Sequence, residues 1–298
     1  MTKADIASSF RALQEYICQR LNDVDASAHF LFDKWNRDLG GGGVTRAVSG
    51  GDYIEKGGVA FSEVHGPVTE SMAQQLNLEG SEFFATGVSI VLHSKSPSHP
   101  IIHMNIRYFE MDDDTYWFGG GIDLTPIYID KIKANKFHNG LRNLCDQYDT
   151  ELYPKFKKWA DNYFYLPHRN ETRGVGGIFF DHLSHSEKMT KTEVFEFCIA
   201  LGKLFPELYA AQLEETSPLE NHKEAIQWQM LRRSRYVEFN LLHDRGTKFG
   251  IYSGGRTESI LMSMPPIAHW SYNYIPKEAS KESETLALLK KDIDWLNQ

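Results

Sequence analysis

The chain has 298 residues, of which 41% are hydrophobic and 13% aromatic, and a formal net charge of -8. This composition lies outside the disordered range and allows a sizeable core. The acidic balance excludes nucleic acid as a partner, since that needs concentrated positive charge. Three widely separated cysteines (Cys18, Cys145, Cys198) form no CxxC pair. They read as reduced thiols in a cytoplasmic protein, and no secretory, transit or transmembrane stretch is visible.

Thr2 to Asp5 forms a capping-box start, and Ile6, Phe10, Leu13, Ile17 and Leu21 follow at helical spacing. Phe30 to Trp35 is a short aromatic element. Gly40 to Gly43 lacks the Gly-Lys-Ser/Thr of a phosphate loop, so it is better read as a turning approach to a strand. Val44 to Val48, the turn Ser49-Gly50-Gly51-Asp52 and the run from Tyr53 to Val64 predict a hairpin, with a bulge at Gly57-Gly58. A short helix is expected from Pro67 to Leu76. Phe84 to His93 is strand, with Ser89 and His93 on one side. Ser96 to Pro100 turns into the next strand, and Asp112-Asp113-Asp114 is a hairpin tip.

After Pro126 the pattern becomes helical. Ile132, Phe137, Leu141, Leu144 and Tyr148 form one apolar stripe; Phe156, Trp159, Ala160 and Tyr163 form a second behind Pro154, a residue suited to a first helical turn. His168 to Arg173 is a polar loop before the strand Gly174 to Asp181. Lys191 to Gln212, with Pro206 inside, and Leu219 to Arg232 are helical. Tyr236 to Leu242 alternates like a strand, Asp244 to Thr247 turns, and Phe249 to Ser253 returns. Short and terminal helices are expected at Thr257 to Ser263 and Thr285 to Leu296. Strands before residue 125 and after residue 234, with helices between and around, predict a single α+β domain over residues 1–298. Its large, mostly antiparallel sheet would be flanked by helices on both sides.

Two neighbouring stretches carry the chemistry. Ile102, Met104, Ile106 and Tyr108 alternate with His103, Asn105, Arg107 and Phe109, so one face is apolar and the other presents an imidazole, an amide and a guanidinium. Such a comb suits an anionic, aromatic ligand, although a chance polar face would also produce it. The following strand, Tyr116 to Asp123, contains Gly119-Gly120-Gly121. Glycines inside a strand are often explained by something approaching the backbone closely.

Arg107, Arg173, Arg233 and Arg256 fall beside glycines and aromatics. Guanidinium forks match carboxylates in a bidentate way, so their convergence would indicate a polycarboxylate. No nucleophile elbow, activated cysteine or dinucleotide fingerprint is present. Metal binding competes: twelve histidines leave a scattered site open, although no HExxH or cysteine ligand set occurs.

Several segments together resemble the oxygen-dependent coproporphyrinogen III oxidase family. They are Ala85 to Ser89, His103 to Phe109, Trp117 to Pro126, Arg173 to Asp181, Arg235 to Asn240, Asp244 to Thr247 and Gly255 to Pro266. They run in the family's order from about Phe32 to Trp270. The CxxxCxxC motif of the anaerobic radical enzyme is absent. The resemblance implies a large antiparallel sheet between helices, a homodimer, and oxidative decarboxylation of two propionates of coproporphyrinogen III to vinyls. Dioxygen would be the acceptor and no cofactor would be required, because the electron-rich pyrrole itself reacts with it.

By the same resemblance, His103 is the acid/base histidine and Asp123 the central carboxylate able to accept pyrrole N–H bonds; Asp244 joins them as a catalytic position. Substrate contacts map to Ser89, Asn105, Ile106, Arg107, Arg173, Arg233, Gly254, Gly255 and Arg256. Histidines proposed for a divalent metal map to His93, His103, His138 and His168. Two residues depart from the family pattern. Lys136 replaces the first histidine of a His-x-His pair, and His243 stands where Tyr or Trp is usual. The dimer interface is expected within residues 236–271. Two alternatives remain open: a metal-dependent oxygenase acting on a polycarboxylate aromatic substrate, and a porphyrin carrier without turnover. Asp123 could also simply cap the Leu124-Thr125-Pro126 turn.

Overall fold

Period-two alternation between His29 and Thr125 builds one antiparallel meander. The computed structural model describes residues 1–70, 73, 80–186, 188–214, 222–252 and 255–297. Its first six strands are β1 (His29–Asn36), β2 (Gly41–Ser49), β3 (Ile54–Pro67), β4 (Glu82–Ser94), β5 (Ile101–Met111) and β6 (Tyr116–Thr125). A small ribbon, β7 (Tyr165–Leu166) with β8 (Glu171–Thr172), precedes β9 (Gly176–Leu183). β9 joins the main sheet beside β6, giving the order β1-β2-β3-β4-β5-β6-β9 with every pair antiparallel.

Most apolar residues of the central strands fall on one face. Ile90, Ile102, Met104, Ile106, Tyr108, Phe118 and Ile122 are fully buried there. They pack with Phe10, Leu13 and Ile17 of α1 (Lys3–Val24), Phe137 and Leu141 of α2 (Lys131–Asp146), and Phe197 and Leu201 of α4 (Lys191–Leu213). The Thr2–Asp5 capping box starts α1 as expected. Between α2 and α4, α3 (Leu152–Tyr163) lies against β9. It sends Phe156 into the main core and stacks Tyr163 on Phe179 at 4.1 Å.

The opposite face is covered at one end by α5 (His222–Leu242), α6 (Arg245–Tyr252) and α7 (Thr257–Leu261). Here the structure corrects the sequence reading. Residues 236–242 belong to one continuous helix, with Asn240 Nδ2 donating to the Tyr236 carbonyl at 3.0 Å. α5 buries Arg232, Arg233, Tyr236 and Phe239 together, and a helix buried on nearly every side has no 3.6-residue stripe to reveal it. The expected strand at Phe249 is likewise helical up to Tyr252. Asp244 caps that helix, its Oδ2 accepting from Thr247 N at 2.7 Å.

Other differences are smaller. The β3 irregularity lies between Ile54 and Lys56, while Gly57 and Gly58 keep regular register. Gly58 instead clears Met262, whose Sδ lies 2.1 Å from where a Cβ would be. Ile132, assigned to an apolar stripe, is exposed. The helix expected from Pro67 lies largely outside the described residues, and Pro67 itself ends β3. The terminal helix α8 (Lys281–Leu288) stops early because the Leu289 carbonyl accepts from Thr172 N at 3.0 Å; a 3-10 turn, Trp295–Asn297, follows.

Candidate functional site

Alternation places His103, Asn105 and Arg107 of β5 on the face away from the core. Cross-strand pairing surrounds them with small residues: Ala60, Ser89, Asn105 and Gly121 lie in one row, and Ser62, Gly87, Arg107 and Gly119 in the next. These rows form a floor with little side-chain relief. A Cβ on Gly119 would sit 2.7 Å from Asp181 Oδ1 and 2.8 Å from Arg107 Nε, so only glycine lets the guanidinium lie down on β6. Rings wall one end, with Phe83 on Phe109 at 5.8 Å, Phe109 on Trp117 at 4.5 Å and Trp117 on His182 at 4.7 Å. α5 and α7 close the other end.

At the closed end, His103, Asp123 and Arg173 interlock. His103 Nδ1 lies 2.8 Å from Asp123 Oδ1. Arg173 donates through Nε to Oδ2 at 3.0 Å and through Nη2 to Oδ1 at 2.6 Å. Both ion-pair partners are only 1% exposed. Burial by itself would push the Asp123 carboxyl up. The Arg173 charge and the His103 hydrogen bond outweigh it and hold the group below the ordinary carboxylate range. Burial likewise pulls on Arg173, but Asp123 more than compensates and raises it. Phe164, Tyr236 and Phe239 surround its guanidinium at 4.5, 4.6 and 4.7 Å. With Asp123 ionised, the His103 ring donates from Nδ1, and its Nε2 is left as an acceptor.

Two further arginines of the same face are more open. Arg107 pairs with Asp181 at 3.0 Å, its side chain 38% exposed. Arg256 pairs with Asp33 of β1 at 2.5 Å and is 31% exposed. The buried Arg256 Nη1 and Asn105 Oδ1 have no hydrogen-bond partner among the described residues. Buried polar atoms in that state call for an explanation, and an absent ligand is one.

The remaining expected site residues divide clearly. Ser89 lies on the floor beside Asn105. Ile106 differs, because its side chain is fully buried on the core face, which leaves only its backbone to meet a ligand on the floor. Arg233 is fully buried, paired with Glu55 and donating to the Ser94 carbonyl at 3.0 Å, so it holds α5 to the sheet. Asp244 accepts from the Tyr163 hydroxyl at 2.8 Å while capping α6. Gly255 donates to the Gly250 carbonyl at 2.7 Å, and Gly254 lies outside the described residues.

The four histidines considered for a metal do not converge. Among the described residues no group of three or more His, Cys, Asp or Glu side chains is arranged to hold an ion. His93 Nε2 meets the Ser263 carbonyl at 2.8 Å, and His138 lies between the Tyr153 hydroxyl and the Val175 carbonyl, both at 3.0 Å. Burial is the main cause that lowers both rings to about 3, so they are neutral. His168 instead meets Glu238 Oε2 at 2.8 Å and His243 at 3.0 Å, which gives the unusual His243 a partner. Lys136 is exposed on α2 while His138 is buried, as expected for helix positions two apart.

Three residues of this face were missed from sequence: Asp181, Asp33 and Phe179. A signal existed for two of them, since Gly177, Phe179 and Asp181 alternate with the apolar Ile178 and Phe180. Asp33 had none, because its partner lies 223 residues away.

A flat floor, a carboxylate-oriented imidazole and two open guanidiniums together suit an enzyme-like site for a planar polyanion. A family model described as coproporphyrinogen III oxidase matches residues 5–295. The chain is 45% identical over 297 residues to "Oxygen-dependent coproporphyrinogen-III oxidase, mitochondrial" of Homo sapiens, covering 95% of this chain and 65% of that protein. Similarly named proteins of Mus musculus and Rattus norvegicus are 44% and 43% identical, each covering 95% of this chain and 67% of the relative. The chain belongs to the coproporphyrinogen III oxidase family. It spans about two thirds of the length of these relatives.

Proposed function

We propose that the protein catalyses oxygen-dependent oxidative decarboxylation of two propionate side chains of coproporphyrinogen III to vinyl groups, giving protoporphyrinogen IX in haem and porphyrin biosynthesis. For each side chain, a propionic acid and one dioxygen become a vinyl group, carbon dioxide and hydrogen peroxide. The observation that carries this reading is the His103–Asp123–Arg173 set at the closed end of a glycine-lined floor. Family membership gives the reaction its name.

In this reading the macrocycle lies over Gly87 and Ser89, beside the guanidinium that Gly119 accommodates, with its carboxylates toward Arg107 and Arg256. Asn105 Oδ1 accepts a pyrrole N–H. Dioxygen takes the electrons directly from the pyrrole, with no resident cofactor or metal, so the protein orients the substrate and moves protons. His103 Nε2 is the base. Asp123 is only 1% exposed and already accepts from His103 and Arg173, so it acts through His103, fixing its tautomer and stabilising the charged ring. Arg173 keeps Asp123 ionised, Asp244 shapes the α6 turn beside the site, and Arg233 anchors α5.

An oxygen electrode tests the reading. Coproporphyrinogen III should drive uptake of two dioxygen molecules per molecule of substrate, and exhaustive chelation should leave the rate unchanged. A porphyrin carrier would bind without uptake, and a metal-dependent oxygenase would lose activity to the chelator.

The proposal extends to a homodimer and a cytoplasmic location. Leu241, Leu242, Ile251, Leu261, Ile267 and Trp270 are exposed within residues 236–271, which supports an interface there. A monomeric mass by sedimentation at micromolar concentration would refute the dimer. No helix among the described residues is long and apolar enough to cross a membrane, and three buried free cysteines fit a reducing compartment.

A further inference from the structure

Both open arginines of the floor are held by carboxylates of the protein itself. Asp181 sits at the irregular end of the β6–β9 pairing and meets Arg107 at 3.0 Å directly above Gly119. It is shared with Arg245 of α6 at 3.6 Å. At the other side of the sheet, Asp33 of β1 meets Arg256 at 2.5 Å. β1 and β5 are four strand spacings apart, about 19 Å at about 4.8 Å each. That separation is of the order of the span between carboxylates on opposite edges of a tetrapyrrole.

We propose that Asp33 and Asp181 are stand-in carboxylates. Each occupies, in the ligand-free protein, the guanidinium that a substrate carboxylate takes on binding. The inference rests on the functional reading above and names two specificity-determining residues that it did not contain. Three observations support it. Each aspartate offers the same charge and bidentate geometry as a propionate, so exchange conserves the ion pair. The arginine side chains are 38% and 31% exposed and Asp33 is 37% exposed; Asp181 is only 10% exposed but keeps Arg245 as a partner when Arg107 turns away, so both exchanges cost little compared with a pair sealed from water. Arg256 Nη1 is buried without a partner among the described residues, so Asp33 satisfies that guanidinium only in part. An incoming group without charge would leave the aspartate in place. The site therefore discriminates acids from esters or amides of the same shape.

The test measures binding of coproporphyrin III, the stable oxidised form of the substrate, and of its tetramethyl ester, by porphyrin fluorescence. Asp33→Asn and Asp181→Asn keep the side-chain shape and remove the competing charge. Each should tighten the acid about two- to fivefold, the range of an exposed ion pair, and leave the ester unchanged. Asp23→Asn, on α1 across the sheet, controls for the change in net charge and should give no comparable gain. Unchanged or weaker acid binding in both floor variants overturns the inference, because the aspartates then merely position the arginines. If the wild type binds the acid and consumes oxygen while the variants fail to tighten, only this inference falls. If the wild type does neither, the functional reading falls and takes the inference with it.

Discussion

Arg173 and Arg107 stand on the same side of one sheet, each on a carboxylate, in opposite surroundings. Arg173 is enclosed by three aromatic rings within 4.7 Å, and its pair with Asp123 is 1% exposed on both sides. Arg107 lies on glycine and opens to solvent. A sealed ion pair is costly to break and so serves as scaffold; an open one contributes little to folding and can change partners. In the proposed reaction the sheet would thus place a rigid proton-handling group and adaptable anion-binding groups side by side.

Removing a guanidinium should separate the two roles. Arg173→Met leaves the buried Asp123 without its guanidinium and with only His103 as a partner, which should cost about 3–5 kcal/mol in urea unfolding. Arg107→Met should unfold within about 1 kcal/mol of wild type and raise KM. Equal stability losses in the two variants would erase the distinction.

The two faces of β5 and β6 offer the next contrast. Ile106→Ala opens a cavity in the core and should cost about 2–5 kcal/mol, with KM unchanged. Gly119→Ala meets the movable ends of Arg107 and Asp181, so it should raise KM several-fold with little change in stability. Denaturant melts and steady-state kinetics of the pair check both halves.

Burial also sets the pH dependence. His93 and His138 are lowered to about 3 in the folded chain from an ordinary 6.5, chiefly by desolvation. A depressed folded pKa means that the unfolded chain binds protons first as the pH falls. Stability is therefore complete above pH 6.5 and declines below it, by up to about 1.4 kcal/mol per pH unit for each histidine. Asp123, held below the ordinary carboxylate range, adds its loss only at lower pH. Unfolding free energies that stay flat from pH 7 to pH 5 would contradict neutral, buried imidazoles.

Much of this site was legible because β5 and β6 follow the simplest rule of sheets. His103, Asn105 and Arg107 alternate with residues that proved fully buried, and Gly119 and Gly121 clear the same face. α5 was not legible beyond Arg232, since ion pairs with Glu55, Glu171 and Glu238 let arginines be buried where a stripe rule expects apolar residues. Ile106 was carried over by family position although its own alternation already assigned it to the core. The pairings of Arg107 with Asp181 and Arg256 with Asp33 join distant segments, so no local pattern announces them.

The central claim is that Asp123, held ionised by Arg173, makes His103 the proton acceptor in turnover. Replacing Asp123 with Asn keeps its size and removes the charge that fixes the His103 tautomer. Steady-state oxygen uptake with coproporphyrinogen III should then lose at least about 100-fold in kcat, the low end of a general-base contribution, while coproporphyrin III binding stays within a few-fold. A variant that turns over within a few-fold of wild type would make Asp123 only a structural anchor for Arg173 within β6 and contradict the account.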